Sequence, residues 1–383
     1  MDVYTALRQL LDKDATGCPP APEIDEILRI LFTPDEARAA LGLGFRPFPL
    51  GIVAARAGVA PGEARRHLEA LSDKCLVFVK EKQGERHYAL QPVMPGLYEF
   101  PYMKGHASGT LERLAPLWNA YMKRFGRGFG SPSMPFARVL PVQEEIEGQP
   151  GVLAFEKVYE MIDQARVVGL GHCACRRTMQ KCEAPREACM MFDDTCDFLV
   201  QRGFGRTVSR EEMKDTLREF DRLGLVHQVN NSRDKLSFIC NCCPCCCELL
   251  QALTRLDNPC ALSTSGFVPR LEAVRCTGCG VCHEKRCPMG AIQPVGRLVH
   301  IDEKRCIGCG LCVTGCPEQA LKLARRENPP VPAATIREMN LTILREKGKL
   351  EAFLPLITPV PARGAEPGGD PGDKAASRGT RTP

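Results

Sequence analysis

The chain has 383 residues, of which 44% are hydrophobic and 25% charged, a balance that is ordinary for a globular protein of two or three domains. Its net charge of +5 is small for this length and gives little support for a nucleic-acid partner. The 22 cysteines are too dilute for a small disulfide scaffold, and their clustering favours metal binding in a reducing, oxygen-poor cell. The N-terminus lacks the pattern of a signal peptide, and no apolar run approaches the roughly 18 residues of a membrane span. We therefore expect a cytoplasmic protein with no membrane partner.

Residues 1–100 show a pattern of helices followed by a hairpin. Apolar residues recur at helical spacing from Ile24 to Leu41, a short helix ends at Gly58, and Pro61 is well placed as the first residue of the next helix. Two strands, over 76–80 and 86–90, flank a turn. This order resembles a winged-helix domain, which we expect over 1–100.

The winged-helix resemblance raises the possibility of DNA binding. The predicted recognition helix and wing offer basic side chains, namely Arg65, Arg66, His67, Lys80, Lys82 and Arg86. A DNA-binding module is usually basic because it neutralises phosphates. Residues 1–100 carry 12 Lys and Arg against 14 Asp and Glu, a net charge of −2. We therefore prefer a protein-docking or scaffold role, with DNA binding as the alternative.

Residues 101–150 are predicted to connect two domains. The stretch from 91 to 150 is rich in proline and glycine, yet it contains more aromatic residues than a solvated linker would. We expect the segment to lie over the surface and to join the domains by packing.

Residues 151–262 are predicted to form a cysteine-rich α+β domain. Helical spacing predicts an amphipathic helix over 152–168, Ser209 and Glu212 form a capping box, and 226–240 reads as a hairpin. Six cysteines then fall within eight residues, at 240–247, directly before a predicted helix. The N–H groups at a helix N-terminus favour thiolates and anionic clusters.

Ten cysteines of this domain are candidate ligands of an additional centre: Cys173, Cys175, Cys182, Cys189, Cys240, Cys242, Cys243, Cys245, Cys246 and Cys247. Arg176 and Arg177 would offset thiolate or cluster charge. The CACRR and NCCPCCC stretches resemble the central region of uncharacterised ferredoxin-fused proteins from anaerobes. We expect a third iron–sulfur cluster here. Zinc and dithiol redox chemistry are the alternatives.

Residues 270–327 contain one cysteine pattern twice, with the copies beginning 30 residues apart. Each copy has three cysteines at two-residue gaps and a fourth before a proline, at 276, 279, 282 and 287 and at 306, 309, 312 and 316. The first copy has four residues between its third and fourth cysteines, where the second has three. Zinc sites usually show two separated CxxC pairs per metal, which makes zinc the weaker interpretation.

The repeat resembles the bacterial dicluster ferredoxin domain. The resemblance implies two [4Fe-4S] clusters, in which the cysteine before each proline binds the other copy's cluster. One cluster would then take Cys276, Cys279, Cys282 and Cys316. The other would take Cys306, Cys309, Cys312 and Cys287.

After the repeat, a helical extension is predicted over 328–357, with one polar helix at 335–353, and a disordered tail over 358–383. The whole chain is therefore predicted to be α+β. The sequence has neither a GxGxxG fingerprint nor a P-loop. We expect an iron–sulfur electron carrier with a redox partner protein. The alternatives are a redox enzyme subunit with its active centre among the middle cysteines and a redox-sensing DNA-binding regulator.

Overall fold

The computed structural model describes residues 2–106 and 108–358. The architecture is a mixture of α-helices and β-sheets, as expected. Within the described ranges, no helix combines the length and apolar character needed to cross a bilayer. The predicted disordered tail lies outside the described residues, apart from Thr358.

Five helices and a three-stranded antiparallel sheet form the N-terminal part. The helices are α1 (Val3–Leu11), α2 (Pro22–Leu31), α3 (Pro34–Ala40), α4 (Leu50–Ala57) and α5 (Pro61–Asp73). The strands are β1 (Phe48–Pro49), β2 (Val77–Lys82) and β3 (Glu85–Leu90), in the order β1-β3-β2. Local chemistry sets the helix ends: Thr33 and Glu36 cap α3, and Gly58 ends α4 in the left-handed region. The expected helices and hairpin are present, and the winged-helix assignment stays a prediction.

The segment from 91 to 128 belongs to the stretch that we expected over the surface, and it has an exposed side, for example at Lys104, Glu112 and Lys123, and a buried aromatic side. It contains an irregular turn (Val93–Leu97), α6 (Phe100–Met103), α7 (Gly109–Phe125) and a 3₁₀ turn (Gly126–Gly128). Helix α7 packs on α2, and its aromatic residues Trp118, Tyr121 and Phe125 are buried in the N-terminal core. Burial of these large side chains explains why the segment is richer in aromatic residues than a linker.

A seven-stranded sheet forms the middle of the chain, in the order β10-β4-β8-β9-β6-β5-β7. Its strands are β4 (Ala137–Leu140), β5 (Val168–His172), β6 (Glu187–Phe192), β7 (Arg206–Thr207), β8 (Val226–Asn230), β9 (Phe238–Cys242) and β10 (Leu262–Ser263). All neighbours are antiparallel except β10 and β4. Strand β4 comes from the predicted connecting segment, so the sheet extends beyond residues 151–262.

Helices α8 (Gln143–Ile146), α9 (Val158–Gln164), α10 (Ala174–Met179), α11 (Asp193–Val200), α12 (Arg210–Arg222) and α13 (Glu248–Arg255) accompany this sheet. The single helix predicted over 152–168 is wrong, because only α9 is α-helical and a 3₁₀ turn (Ala154–Glu156) precedes it. Glu156 turns inward there, accepts the N–H of Leu153 and pairs with Arg325 at 2.6 Å. Non-helical backbone at Lys157 and extended backbone at Ala165 bound α9 on its two sides.

The C-terminal part consists of two antiparallel strand pairs and short helical turns. Strand β11 (Phe267–Leu271) pairs with β14 (Leu321–Arg325), and β12 (Ile292–Val295) pairs with β13 (Leu298–Ile301). The turns are a 3₁₀ turn (Ala273–Arg275), a π-type turn (Cys282–Arg286) and α14 (Leu311–Thr314). The helix predicted over 335–353 is instead two helices, α15 (Ile336–Glu346) and α16 (Leu350–Ile357), because Gly348 turns the chain at φ +66°.

Candidate metal centres

Two cysteine-lined recesses lie between the strand pairs of the C-terminal part. The cysteines of the first recess, which we name the inner set, are Cys287, Cys306, Cys309 and Cys312. The cysteines of the second recess, which we name the outer set, are Cys276, Cys279, Cys282 and Cys316. In each recess, three cysteines of one sequence copy meet the cysteine that precedes the proline of the other copy.

Four glycines beside the repeat cysteines have left-handed backbone conformations, and two backbone N–H groups donate to cysteine sulfur. Gly278, Gly280, Gly308 and Gly310 all have φ between +70° and +85°. A side chain at Gly308 would meet the Phe267 carbonyl oxygen at 2.2 Å, so the close approach there requires glycine. The N–H of Ala291 donates to Cys287 Sγ at 3.3 Å, and the N–H of Ala320 donates to Cys316 Sγ at 3.2 Å. These two hydrogen bonds, each four residues after the cysteine, show that the two copies share one local structure.

The inner and outer sets differ in burial. Cys306, Cys309 and Cys312 are each at most 9% exposed, whereas Cys279 of the outer set is exposed. Burial raises the pKa of the Cys309 thiol to about 12 and also raises that of Cys312. A thiolate in the inner set therefore needs a cation beside it, which a metal centre would supply.

The four residues between the third and fourth cysteines of the first copy lie within the π-type turn. The turn carries Arg286 against the end of α12, where its guanidinium donates to the carbonyl oxygens of Asp221 and Arg222, both at 2.8 Å. The same side chain donates to the Leu311 carbonyl oxygen at 2.8 Å. Through Arg286, the turn that contains the inserted residue therefore connects the repeat region to α12, which accompanies the middle sheet.

The ten candidate cysteines of the middle region separate into two groups. The four-cysteine group is Cys182, Cys243, Cys245 and Cys246, whose sulfur atoms all lie within 4.8 Å of one another. The six-cysteine group is Cys173, Cys175, Cys189, Cys240, Cys242 and Cys247. Cys189 and Cys240 are cross-strand partners on β6 and β9, and Cys173 and Cys247 immediately precede α10 and α13.

The six-cysteine group adjoins the inner set. Cys242 and Cys247 belong to the same buried apolar cluster as Cys306 and Cys309. One apolar cluster therefore spans these two cysteine-rich sites. Cys196, which the sequence does not distinguish from its neighbours, is buried beside Phe198 in a different apolar cluster and acts as a small hydrophobic residue.

One buried cation and two carboxyl groups lie near the middle cysteines. Arg176 is 2% exposed and donates to the carbonyl oxygens of Pro185 at 2.6 Å and Asn241 at 2.5 Å. Burial raises the pKa of Glu99 to about 8 and that of Glu248 to about 7. Within the described part of the chain, Glu248 Oε1 and Arg176 Nε find no hydrogen-bond partner, so this zone keeps free polar atoms beside the cysteines.

A buried hydrogen-bonded chain leads from α12 to β9. His227 bridges Asp221 Oδ1 at 2.8 Å and Asn241 Oδ1 at 2.6 Å, and Asn241 lies between two cysteines of the six-cysteine group. Sequence reasoning missed Asp221, His227, Arg286 and Glu99, because their role depends on contacts between distant segments. Glu248 could have been singled out from the sequence, since it directly follows the cysteine run.

The basic residues considered for DNA binding have mixed surroundings. Arg65 and Arg66 are exposed on α5, and Lys82 is exposed at the end of β2. Lys80 pairs with Asp194 of α11 at 2.6 Å, and Arg86 pairs with Glu69 at 2.5 Å. Phe78 of the hairpin packs on Phe198, with ring centroids 4.9 Å apart. The hairpin therefore contacts the middle region.

Comparison with known proteins gives one match. Residues 298–321 match a family described as a 4Fe-4S binding domain. No curated protein and no solved structure matches the chain. The matched stretch contains the second cysteine copy, so the chain contains an iron–sulfur binding domain, and its many clustered cysteines are consistent with a role in electron transfer.

Proposed function

We propose that this protein is an iron–sulfur electron carrier with two [4Fe-4S] clusters, one held by the inner set and one by the outer set. The observation that carries the proposal is the pair of recesses, each lined by four cysteines drawn from both sequence copies. Their donors fit the cluster, because four cysteine sulfurs per recess and backbone N–H groups that donate to sulfur are what iron–sulfur sites use. When bound, such clusters accept and release single electrons.

The protein arranges its cysteines in an order from interior to surface. The six-cysteine group shares an apolar cluster with the inner set, and the outer set ends at the exposed Cys279. Cys282 and Cys312 lie at one further apolar cluster, which brings the two sets together. This order supports a path between the surface and the middle region.

A redox partner protein would meet the face that contains the outer set. Three exposed apolar residues flank it: Val274 is 97%, Val295 62% and Leu298 37% exposed. Val274 lies two residues before Cys276, and the Val295–Leu298 turn contains Arg297, whose carbonyl oxygen is 3.8 Å from Cys276 Sγ. Exposed apolar side chains around a charged site favour transient protein contacts.

The second candidate function is a redox enzyme subunit whose active centre is the six-cysteine group. It is favoured by the apolar cluster shared with the inner set and by the two carboxyl groups of raised pKa, Glu99 and Glu248. In this proposal the six-cysteine group holds the third iron–sulfur cluster.

Anaerobic purification with iron and labile-sulfide counting tests both proposals. About eight irons per chain support the two repeat clusters, and about twelve support a third cubane. A carrier is reduced by dithionite without substrate and gives reversible low-potential paramagnetic signals. An enzyme shows a substrate-dependent change at one centre only. Fewer than about four irons after anaerobic reconstitution would refute the carrier.

DNA binding remains a less favoured proposal, because two of its six candidate side chains are in ion pairs and the hairpin packs on the middle region. The full chain should not retard duplex DNA even at low salt. Salt-dependent binding that is lost in Arg65→Ala/Arg66→Ala would instead support the regulator.

A further inference from the structure

The four-cysteine group has a spacing different from that of the repeat cysteines. Cys182 Sγ lies 3.6 Å from Cys243 Sγ and 3.8 Å from Cys246 Sγ, and Cys245 Sγ lies 3.8 Å from Cys246 Sγ. Among the described residues, it is the one set of three or more cysteine, histidine or acidic side chains whose ligand atoms all lie within 4.8 Å of each other.

These distances match one metal ion. Four sulfurs placed about 2.3 Å from a central ion at the corners of a tetrahedron are about 3.8 Å apart. In a cubane, each thiolate binds a different iron, so the four sulfurs must surround a larger body. The inner and outer sets provide an internal comparison, since no three of their sulfurs meet the 4.8 Å limit that all four sulfurs of this group satisfy.

A disulfide does not account for the group. Bonded sulfurs are about 2.05 Å apart. Cys182 Sγ and Cys243 Sγ are 3.6 Å apart, and all four cysteines are free thiols. Packing as four hydrophobic thiols also leaves unexplained why all four sulfur atoms point to one place. Two of the four, Cys243 and Cys246, are buried, and Cys182 and Cys245 are half-buried.

Local structure brings three ligands together, and tertiary structure supplies the fourth. After β9 the chain makes a turn over 243–246, in which the N–H of Cys246 donates to the Cys243 carbonyl oxygen at 3.4 Å and the N–H of Cys247 donates to the same oxygen at 3.0 Å. Pro244 occupies the second position of the turn, where its fixed φ is favourable. Cys182 comes from the loop between α10 and β6, 61 positions earlier.

We propose that Cys182, Cys243, Cys245 and Cys246 bind one tetrahedral thiolate-coordinated metal ion, zinc or iron, separate from the iron–sulfur clusters. The ion ties the 180–186 loop to the end of β9. Arg176 bridges the same two segments through Pro185 and Asn241. The ion therefore fixes the strand end from which Cys240 and Cys242 extend into the six-cysteine group.

The test is metal analysis of the full chain, purified anaerobically, for zinc, iron and labile sulfide. Cys182→Ser and Cys245→Ser should each lose one zinc, or one iron without matching sulfide, and should keep the remaining iron and sulfide. Cys260→Ser, a half-buried cysteine outside every set, is the matched control and should lose nothing. Zinc or iron loss identifies which metal the site takes.

A measurement on the parent protein covers the case in which the variants do not fold. If the metal is zinc, X-ray absorption at the zinc edge should show four sulfurs at about 2.3 Å, and if it is iron, the iron content should exceed the labile sulfide by about one atom per chain. For zinc, no metal neighbour should appear. If the parent lacks zinc and all of its iron is matched by labile sulfide, the proposal is overturned, whatever the number of clusters. Loss of iron and sulfide together from Cys182→Ser would overturn it too.

Discussion

The Arg286 guanidinium donates a 2.8 Å hydrogen bond to the main-chain carbonyl oxygen of Asp221 at the C-terminal end of α12. Arginine at a helix C-terminus satisfies carbonyl oxygens that have no partner within the helix and interacts favourably with the helix dipole. The Asp221 side chain then contacts His227, which contacts Asn241 between two middle cysteines. A continuous set of polar contacts therefore links the repeat region to the six-cysteine group.

Replacing Arg286 should loosen this contact. Arg286→Ala removes charge-assisted hydrogen bonds of roughly 2 kcal/mol, so amide exchange at the end of α12 and in α14 should accelerate by about 30-fold. Hydrogen exchange with mass spectrometry measures the change. Lys285→Ala is the control, because Lys285 is exposed in the same turn and should leave exchange unaltered. Equal effects of both variants would contradict the docking role of Arg286.

Removing one outer ligand should affect one centre only. Cys279→Ser is expected to lower the iron content by about four atoms, because each cubane contains four irons, while the signal of the inner site persists. Iron analysis and paramagnetic resonance check this result. In the parent chain, oxygen should destroy the outer site first, since Cys279 is exposed whereas three of the four inner cysteines are buried and the fourth, Cys287, is half-buried. Loss of all iron in Cys279→Ser would argue against two independent sites.

Changing the apolar face should slow electron transfer between proteins. Val274→Asp places a carboxylate, which a binding partner would have to desolvate, on the face that contains the outer set. With cytochrome c as the test acceptor, a loss of about 1 kcal/mol in the binding free energy would slow its reduction about fivefold. The rate with methyl viologen, which needs no protein contact, should not change. Val331→Asp is the matched control, because Val331 is 71% exposed and lies outside the repeat. Equal slowing in both variants would exclude a specific docking face.

Glu99 should make stability depend on pH. Burial raises its pKa from 4.5 to about 8, so between these values the folded state holds a proton that the unfolded state has released. Stability from this group should therefore fall as pH rises from about 4.5 to about 8. Glu99→Gln removes that loss of stability. Because one pKa unit corresponds to about 1.4 kcal/mol, the free energy of unfolding of the variant should exceed that of the parent by at least about 1 kcal/mol at pH 8 and by little at pH 4.5.

Anaerobic thermal unfolding at the two pH values measures this difference. Glu284→Gln is the control, since Glu284 is exposed and should not alter the pH dependence. A stability gain by Glu99→Gln that is the same at both pH values would show that shape, and not charge, is responsible.

Local features of the structure were predictable to a large extent. The β2–β3 and β8–β9 hairpins, the Ser209 cap of α12 and the helix after the cysteine run all appear close to their expected positions. Alternating polarity, capping residues and turn residues act over a few neighbours, so they can be recognised without the rest of the chain. The helix predicted over 152–168 is wrong in its extent, since Glu156 is buried against the distant Arg325 and the backbone leaves the helical region at Lys157 and Ala165.

The sequence by itself determined that the chain carries clustered metal ligands, since two-residue gaps between cysteines bring thiols to one side of a short turn. It also determined the local backbone conformation of each repeat through its glycines and prolines. Tertiary structure decided which middle cysteines meet: β6 and β9 pair Cys189 with Cys240, and a loop brings Cys182 to the turn at 243–246. It also decided that three cysteines of the inner set are buried and that Cys279 of the outer set is exposed. These outcomes depend on strand pairing and packing between segments far apart in sequence, which local spacing does not encode.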